Sequence, residues 1–104
     1  RVYVHAGPVD MRRSFDGLSG LVRGTMKHDP LSGHLFCFFN RRRNYVKVVY
    51  WDTNGYCLWA KRLTKGAFLE LPSGEELLLD DLVRAVGSAK STMGRRHYRH
   101  LPPA

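Results

Sequence analysis

The sequence from His34 to Lys61 reads HLFCFFNRRRNYVKVVYWDTNGYCLWAK. It contains three runs rich in aromatic and β-branched residues, which predict strands from His34 to Phe39, Tyr45 to Asp52 and Tyr56 to Lys61. The polar links between them, Asn40–Asn44 and Thr53–Gly55, have lengths suited to antiparallel hairpins, with Gly55 supplying the positive φ of the second loop. The stretch therefore predicts a three-stranded antiparallel meander.

On the N-terminal side of this meander, the sequence predicts a short strand and a helix. Val2 to His5 alternates like a strand, and Asp10 is placed to cap a helix that ends near Met26. Five apolar residues share one face of that helix: Met11, Phe15, Leu18, Leu21 and Val22. We expect this stripe to pack on the sheet with Phe15 at its centre, so truncation of Phe15 to alanine should cost about 3–5 kcal/mol.

On the C-terminal side, the sequence predicts an edge strand, a second helix and a tail. Ala67 to Leu71 is typical of an edge strand, and a helix from about Asp80 to Val86 should end at Gly87. Leu79, Leu82, Val83 and Val86 form its apolar stripe. Residues 88–104 contain no acidic residue and are predicted to be a basic, mobile tail. Residues 1–87 are predicted to be a single α+β domain, with an antiparallel meander sheet of four to five strands, an N-terminal helix packed on one face and a short C-terminal helix.

Composition limits the classes of function. The chain has 104 residues, enough for one domain, and its apolar runs fall far short of the ~20 residues that a membrane-spanning helix needs. A net charge of +8 favours either a polyanionic partner such as DNA or a surface that only maintains solubility. Cys37 and Cys57 lie in apolar runs and the histidines are scattered. We therefore expect reduced thiols, a cytoplasmic protein, and neither a metal ion nor another cofactor.

Pairing Phe39 with Tyr45 and Asp52 with Tyr56 sorts the strand residues into two faces. One face is the expected core beneath the first helix: Phe36, Phe38, Val46, Val48, Tyr50, Leu58 and Ala60. The opposite face mixes apolar and charged residues: Leu35, Cys37, Phe39, Tyr45, Lys47, Val49, Trp51, Cys57, Trp59 and Lys61. Either the C-terminal segment and the second helix pack on Trp51 and Trp59, or this face, with Tyr45, Trp51 and Trp59, docks a larger partner protein or unpaired bases.

The same pairing predicts a cluster of cations at one end of the meander. Its six members are Arg41, Arg42, Arg43, Lys47, Lys61 and Arg62. Lys47 and Lys61 are expected to be cross-strand neighbours, a like-charged pair that a phosphate would stabilise. The cluster is interpreted as a DNA-binding site, weak and without sequence preference, because no predicted helix carries the side chains that read base edges. A solvated loop of arginines is the alternative.

Three motifs carry a resemblance to a known family: DMRRSFDGL (10–18), DPLSGHLF (29–36) and KVVYWDTNGYCLW (47–59). The motifs KRL (61–63) and KGAF (65–68) continue it, so that it covers about Val2 to Phe68. The chain resembles the TnpB-type accessory proteins, products of the second reading frame of the IS66 family of bacterial insertion sequences. The resemblance implies a partner, the element's separate transposase, which performs strand transfer, and it implies no catalytic residue in this chain.

Catalysis on DNA by metal ions requires carboxylates that converge. The candidates are Asp10, Asp16, Asp29 and Asp52. Asp10 and Asp16 would lie on different sides of one helix, and turn chemistry explains the other two. We therefore expect a protein that is not an enzyme: a transposition accessory that binds DNA through the six cations, or alternatively a protein-only adaptor that docks on the transposase through its aromatic face.

Overall fold

The computed structural model describes residues 1–87 and 89–90. Its elements, in chain order, are β1 (Val2–Val4), α1 (Phe15–Gly24), β2 (Leu35–Phe39), β3 (Tyr45–Asp52), β4 (Gly55–Arg62), β5 (Ala67–Phe68), α2 (Leu79–Gly87) and β6 (Ala89–Lys90). The predicted α+β class, with an N-terminal helix and a short C-terminal helix around a mainly antiparallel sheet, is confirmed.

The main sheet has four strands in the order β1-β2-β3-β4. Strands β2, β3 and β4 form the predicted antiparallel meander, whereas β1 pairs parallel to β2. The predicted edge strand from Ala67 to Leu71 is shortened to β5, which pairs with β6 in a separate two-stranded sheet. The rest of the predicted tail, residue 88 and residues 91–104, lies outside the described residues.

Both hairpins pair one residue away from the predicted register. Phe39 lies opposite Val46 rather than Tyr45, and Asp52 lies opposite Gly55 rather than Tyr56. Because side chains alternate along a strand, a one-residue slip moves every residue to the other face. Because both hairpins are shifted by one residue, the residues of β2 and β4 that were predicted to share a face still do so. Strand β3 alone is turned over, and its predicted face was wrong.

Loop chemistry explains the shift. The Asn40 side chain accepts hydrogen bonds from the backbone N–H groups of Asn44 and Tyr45, each at 3.0 Å, and the Asn40 N–H donates to the Tyr45 carbonyl at 3.1 Å. The two strands are therefore paired up to Asn40 and Tyr45, and the loop is shorter than predicted. In the second hairpin Thr53 takes the positive φ, at 55°, and Gly55 is already the first residue of β4.

Different helices cover the two faces of the sheet. The face under α1, the α1 face, carries Tyr3, Phe36, Phe38, Tyr45, Lys47, Val49, Trp51, Tyr56, Leu58, Ala60 and Arg62. The opposite α2 face carries Val2, Val4, Leu35, Cys37, Phe39, Val46, Val48, Tyr50, Cys57, Trp59 and Lys61. Val46, Val48 and Tyr50 thus lie on the face that α2 covers, not beneath α1 as predicted. Each face contributes a buried apolar cluster to the fold.

Helix α1 begins five residues later than Asp10, where the helix was predicted to be capped. The Asp10 carboxylate instead accepts a hydrogen bond from the Arg12 backbone N–H at 2.9 Å, which closes a turn before the helix. Leu18 and Val22 are fully buried against the sheet, as the stripe predicted. Phe15, in contrast, is 41% exposed in the first turn of the helix, so its predicted central position was wrong.

Helix α2 packs Leu82 and Val86 against the α2 face, and its Ala85 is also buried. The Asp81 carboxylate accepts a hydrogen bond from the Leu78 backbone N–H at 3.0 Å, which satisfies a free donor at the start of the helix. Leu79 and Val83 were predicted to belong to the same buried stripe, but both are more than half exposed. No helix in the described residues is long and apolar enough to cross a membrane.

Candidate nucleic-acid interface

The six predicted cations do not form one cluster. Lys47 and Lys61 lie on opposite faces of the sheet because β3 is turned over, so their predicted cross-strand pairing was wrong. Lys47 is only 9% exposed, and its ammonium group donates to the Arg13 carbonyl at 2.8 Å. The Lys61 ammonium group donates to the Val86 carbonyl at 2.9 Å. Both amines therefore link the sheet to a neighbouring backbone, Lys47 just before α1 and Lys61 near the end of α2.

Arg43 also has a structural role. Its guanidinium carbon lies 4.1 Å from the centre of the Phe39 ring, and its terminal nitrogen donates to the Leu69 carbonyl at 3.1 Å. The backbone of Arg43 has a positive φ of 57°, and its carbonyl accepts the Phe68 N–H at 2.8 Å. Arg43 thus holds the β2–β3 loop against the segment that contains β5.

Four cations remain exposed at this end of the sheet, and we call them the basic end: Arg41, Arg42, Arg62 and Lys65. Arg41, Arg42 and Lys65 line an open groove of about 670 Å³ between the β2–β3 loop and the segment after β4. Glu70 is the one acidic residue among the described residues that line it. Arg62 is exposed at the end of β4, with its guanidinium carbon 5.4 Å from the Tyr45 ring centre. Within residues 1–87, none of the four forms an ion pair.

The three aromatic residues predicted to dock a partner are divided between the two faces. Tyr45 and Trp51 lie on the α1 face, and the Trp51 ring packs edge-on against Tyr56 with centres 5.1 Å apart. Trp59 lies on the α2 face and is 42% exposed. It lines an open, mainly apolar groove of about 620 Å³ between β4 and α2, together with Leu79 and Val83. The predicted single aromatic face was therefore wrong.

The candidate carboxylates lie in different turns and elements, with Asp16 in the first turn of α1. Hydrogen bonds from the Arg12 side chain and backbone lower the pKa of Asp10 to about 2. Asp29 accepts the Leu31 N–H within its turn, and Asp52 lies at the tip of the second hairpin. No group of three potential metal ligands occurs in the described part of the chain. The thiols are free, and burial raises the pKa of Cys37 to about 12.

Comparison with known proteins assigns the chain to a family. The family described as IS66 Orf2 like protein matches residues 1–80. The chain belongs to the IS66 Orf2-like family. Two similar proteins come from Sinorhizobium fredii (strain NBRC 101917 / NGR234): the uncharacterized protein y4hO is 41% identical over 75 residues, and the uncharacterized protein y4jC is 38% identical over 72 residues.

These matches cover 72% and 69% of this IS66 Orf2-like chain, but only 64% and 62% of the two relatives. The chain therefore spans less than two thirds of the length of the curated relatives that it matches. No solved structure matches it. The family match confirms the resemblance carried by the three sequence motifs.

Lys65 is the member of the basic end that was not singled out from the sequence. The sequence does indicate that Lys65 is exposed, because Lys65-Gly66 forms a turn between two apolar segments. In the structure Gly66 takes a positive φ of 77° in this turn. What the sequence did not reveal is that this turn lies across a groove from the β2–β3 loop. That proximity depends on Arg43, whose contacts join the two segments.

Proposed function

We propose that this IS66 Orf2-like protein assists transposition of its insertion sequence without performing strand transfer, and that it binds DNA phosphates through the basic end. The observation that carries this proposal is a group of exposed cations: Arg41, Arg42 and Lys65 line an open groove, and Arg62 is exposed at the end of β4. Exposed cations without carboxylate partners attract polyanions, because phosphate replaces the small counterions around them.

The same geometry argues for contact with the DNA backbone rather than with base edges. Reading the major groove usually requires a helix or a two-stranded ribbon whose side chains reach the bases. The four cations instead lie on a loop, a strand end and a turn. We therefore expect modest affinity, on the order of 10⁻⁴ to 10⁻⁶ M at physiological salt, with little dependence on sequence.

Salt dependence tests the proposal. Four phosphate contacts should give a slope of about −3 to −4 in a plot of log affinity against log salt, since each contact contributes about 0.9. In the double variant Arg41→Gln and Arg42→Gln, this slope should flatten by about 1.8. The matched control is Arg23→Gln with Lys27→Gln, which removes two exposed cations near the end of α1 and should leave the slope unchanged. Fluorescence anisotropy with a labelled duplex measures both.

Two outcomes would contradict the site. If the slope survives the loop variant and disappears in a chain shortened after Lys90, the tail binds DNA and the basic end does not. If the parent protein binds no duplex even at low salt, the protein-only adaptor becomes the better interpretation. Capture of the element's transposase in the presence of nuclease would then support that adaptor role.

A further inference from the structure

The two edges of the main sheet differ in how their backbone groups are satisfied. Along the outer side of β1, the Val2 N–H donates to the Leu77 carbonyl at 3.0 Å and the Leu77 N–H donates to the Val2 carbonyl at 2.8 Å. Within residues 1–87 and 89–90, no backbone group bonds to the outer side of β4. In the part of the chain that the structure describes, β4 is thus the open edge of the sheet, eight residues long.

The pairing of β4 with β3 fixes which of its backbone groups face outward. Hydrogen-bonded and non-hydrogen-bonded pairs alternate along an antiparallel ladder. The Leu63 N–H donates to the Asn44 carbonyl at 2.7 Å, in register with the β3–β4 pairs, so the odd-numbered residues of β4 bond inward to β3. The N–H and C=O groups of the even-numbered residues therefore point away from the sheet: Tyr56, Leu58, Ala60 and Arg62.

Most of this edge lacks the usual protection against strand pairing, since its charges are confined to the last two residues, Lys61 and Arg62. Natural edge strands carry charges, prolines or bulges that prevent another strand from adding. From Gly55 to Ala60 the strand has neither a charged residue nor a proline. Trp59 continues the apolar surface from the edge into the groove beside α2, where Leu79 is 55% exposed and Val83 is 57% exposed. Both the backbone and the neighbouring side chains are thus available to a partner strand.

We propose that a second copy of this chain pairs with β4 in antiparallel orientation, around a twofold axis at Trp59. In this register Leu58 lies opposite Ala60 of the partner subunit, and Tyr56 lies opposite Arg62 of the partner subunit. Every one of these residues has outward backbone groups, so each pair exchanges two hydrogen bonds. The alternative axis at Leu58 is less favourable. It would place Arg62 beyond the end of the partner strand, so that its outward N–H and C=O groups would stay unpaired.

The arrangement of side chains also favours a second copy. With the axis at Trp59, Lys61 lies opposite Cys57 of the partner subunit, so the cations of the two copies do not oppose each other. Arg62 lies opposite Tyr56 of the partner subunit, where a cation–π contact can form. Trp59 meets Trp59 of the partner subunit in a non-hydrogen-bonded pair, in which side chains approach most closely. The two apolar grooves then adjoin the same axis.

The dimer shares Arg62 with the basic end but does not require DNA, and the dimer and DNA binding respond to salt in opposite ways. Each copy carries a formal charge of +8, so added salt should strengthen the dimer by screening the repulsion between copies, while it weakens DNA binding. A dimer would place two basic ends at diagonally opposite corners of one continuous eight-stranded sheet. One dimer could then hold two DNA segments.

Sedimentation velocity of the full chain without DNA tests the dimer. We expect a monomer–dimer equilibrium that shifts toward dimer between low and high salt. Ala60→Pro removes an outward N–H, a change that an edge strand tolerates, and should raise the dimer dissociation constant at least about tenfold. The matched control Ala60→Thr keeps the N–H and should retain the dimer. Circular dichroism checks that both variants are folded.

A second variant keeps the proposal falsifiable if Ala60→Pro fails to fold. Trp59→Arg changes a partly exposed side chain and places like charges across the axis, so it should also abolish the dimer. A parent chain that stays monomeric at about 1 mM would overturn the proposal. A folded Ala60→Pro variant that dimerises like the parent would also overturn it. A chain that is monomeric alone but pairs through β4 with the transposase would show that the edge serves another strand.

Discussion

The α1 face of the sheet is sealed where Leu18 and Val22 pack on it, whereas the α2 face keeps an open groove beside β4. Leu18 and Val22 of α1 are fully buried against Phe36 and Phe38, which are buried as completely. On the other face, Leu82 and Val86 are buried, but the exposed Leu79, Val83 and Trp59 border the groove. Both helices thus bury apolar residues against the sheet, but α2 also leaves apolar side chains exposed beside β4.

The largest predicted effect is the difference in stability between truncating a buried apolar residue of α1 and truncating an exposed apolar residue of α2. Leu18→Ala should lower the free energy of unfolding by about 2–5 kcal/mol, because it leaves a cavity in a close-packed cluster. Val83→Ala should change it by less than about 0.5 kcal/mol in the monomer, because the side chain is mostly solvated. Urea denaturation followed by tryptophan fluorescence measures both values. Equal losses would mean that the α2 face is as closed as the α1 face.

The position of Phe15 provides an internal check on that prediction. The periodicity of the sequence placed it at the centre of the α1 stripe, with an expected cost of about 3–5 kcal/mol on truncation. Since the side chain is 41% exposed, Phe15→Ala should cost clearly less than Leu18→Ala in the same denaturation experiment. A larger loss of stability for Phe15→Ala than for Leu18→Ala would indicate that Phe15 does lie at the centre of the apolar stripe, as the periodicity predicts.

A smaller difference in stability is expected between variants of the two lysines that bond to backbone carbonyls. Lys47→Met keeps the aliphatic stem but leaves the Arg13 carbonyl without its charged donor, and should cost about 1.5–3 kcal/mol. Lys61→Met removes the donor to the Val86 carbonyl from a more exposed site, and should cost about 1 kcal/mol. Neither change should alter the salt slope of DNA binding by the 0.9 expected for a phosphate contact. A flatter slope in either variant would return that lysine to the DNA site.

The sequence predicted the elements better than their relation to one another. The strands of the meander and the second helix are found close to their predicted positions because their apolar patterns and turn residues are local signals. Strand β3 is apolar on both faces, with Val48 and Val49 equally suited to a core, so alternation did not reveal which face α1 covers. The Asn40 side chain fixed the register instead.

For the candidate nucleic-acid interface, too, the sequence predicted local features better than contacts between distant segments. Arg41 and Arg42 were recognised as exposed cations because a polar loop between two strands lies on the surface. Lys47 and Lys61 were wrongly predicted to be cross-strand neighbours, because their positions depend on the register of β3. Their hydrogen bonds to backbone carbonyls near α1 and α2 were likewise not predictable from the sequence. The open edge of β4 was also invisible in the sequence, since it depends on strand order. Contacts between distant segments, rather than residue types, accounted for these errors.

The smallest effect concerns the turn that precedes α1. The pKa of Asp10 falls from its ordinary value of 3.8 to about 2, because the Arg12 side chain and backbone donate hydrogen bonds to the ionised carboxylate. A carboxyl whose pKa is lower in the folded state stabilises the fold above its unfolded pKa and loses that contribution as pH falls through the folded pKa. Its contribution should therefore be complete at neutral pH and disappear between about pH 4 and pH 2.

Asp10→Asn tests this expectation through thermal unfolding measured from pH 7 to pH 2. The variant should melt slightly below the parent at pH 7, and the difference should shrink as the pH falls from about 4 to about 2, where protonation of Asp10 makes the parent resemble the variant. The salt bridge is exposed, so a small difference is expected. The matched control is Asp81→Asn, which makes the same substitution at a carboxylate that accepts a backbone hydrogen bond at the start of α2, on the other face of the sheet. A difference in melting temperature between parent and Asp10→Asn that stays constant down to pH 2 would show that the charge of Asp10 does not stabilise the turn before α1.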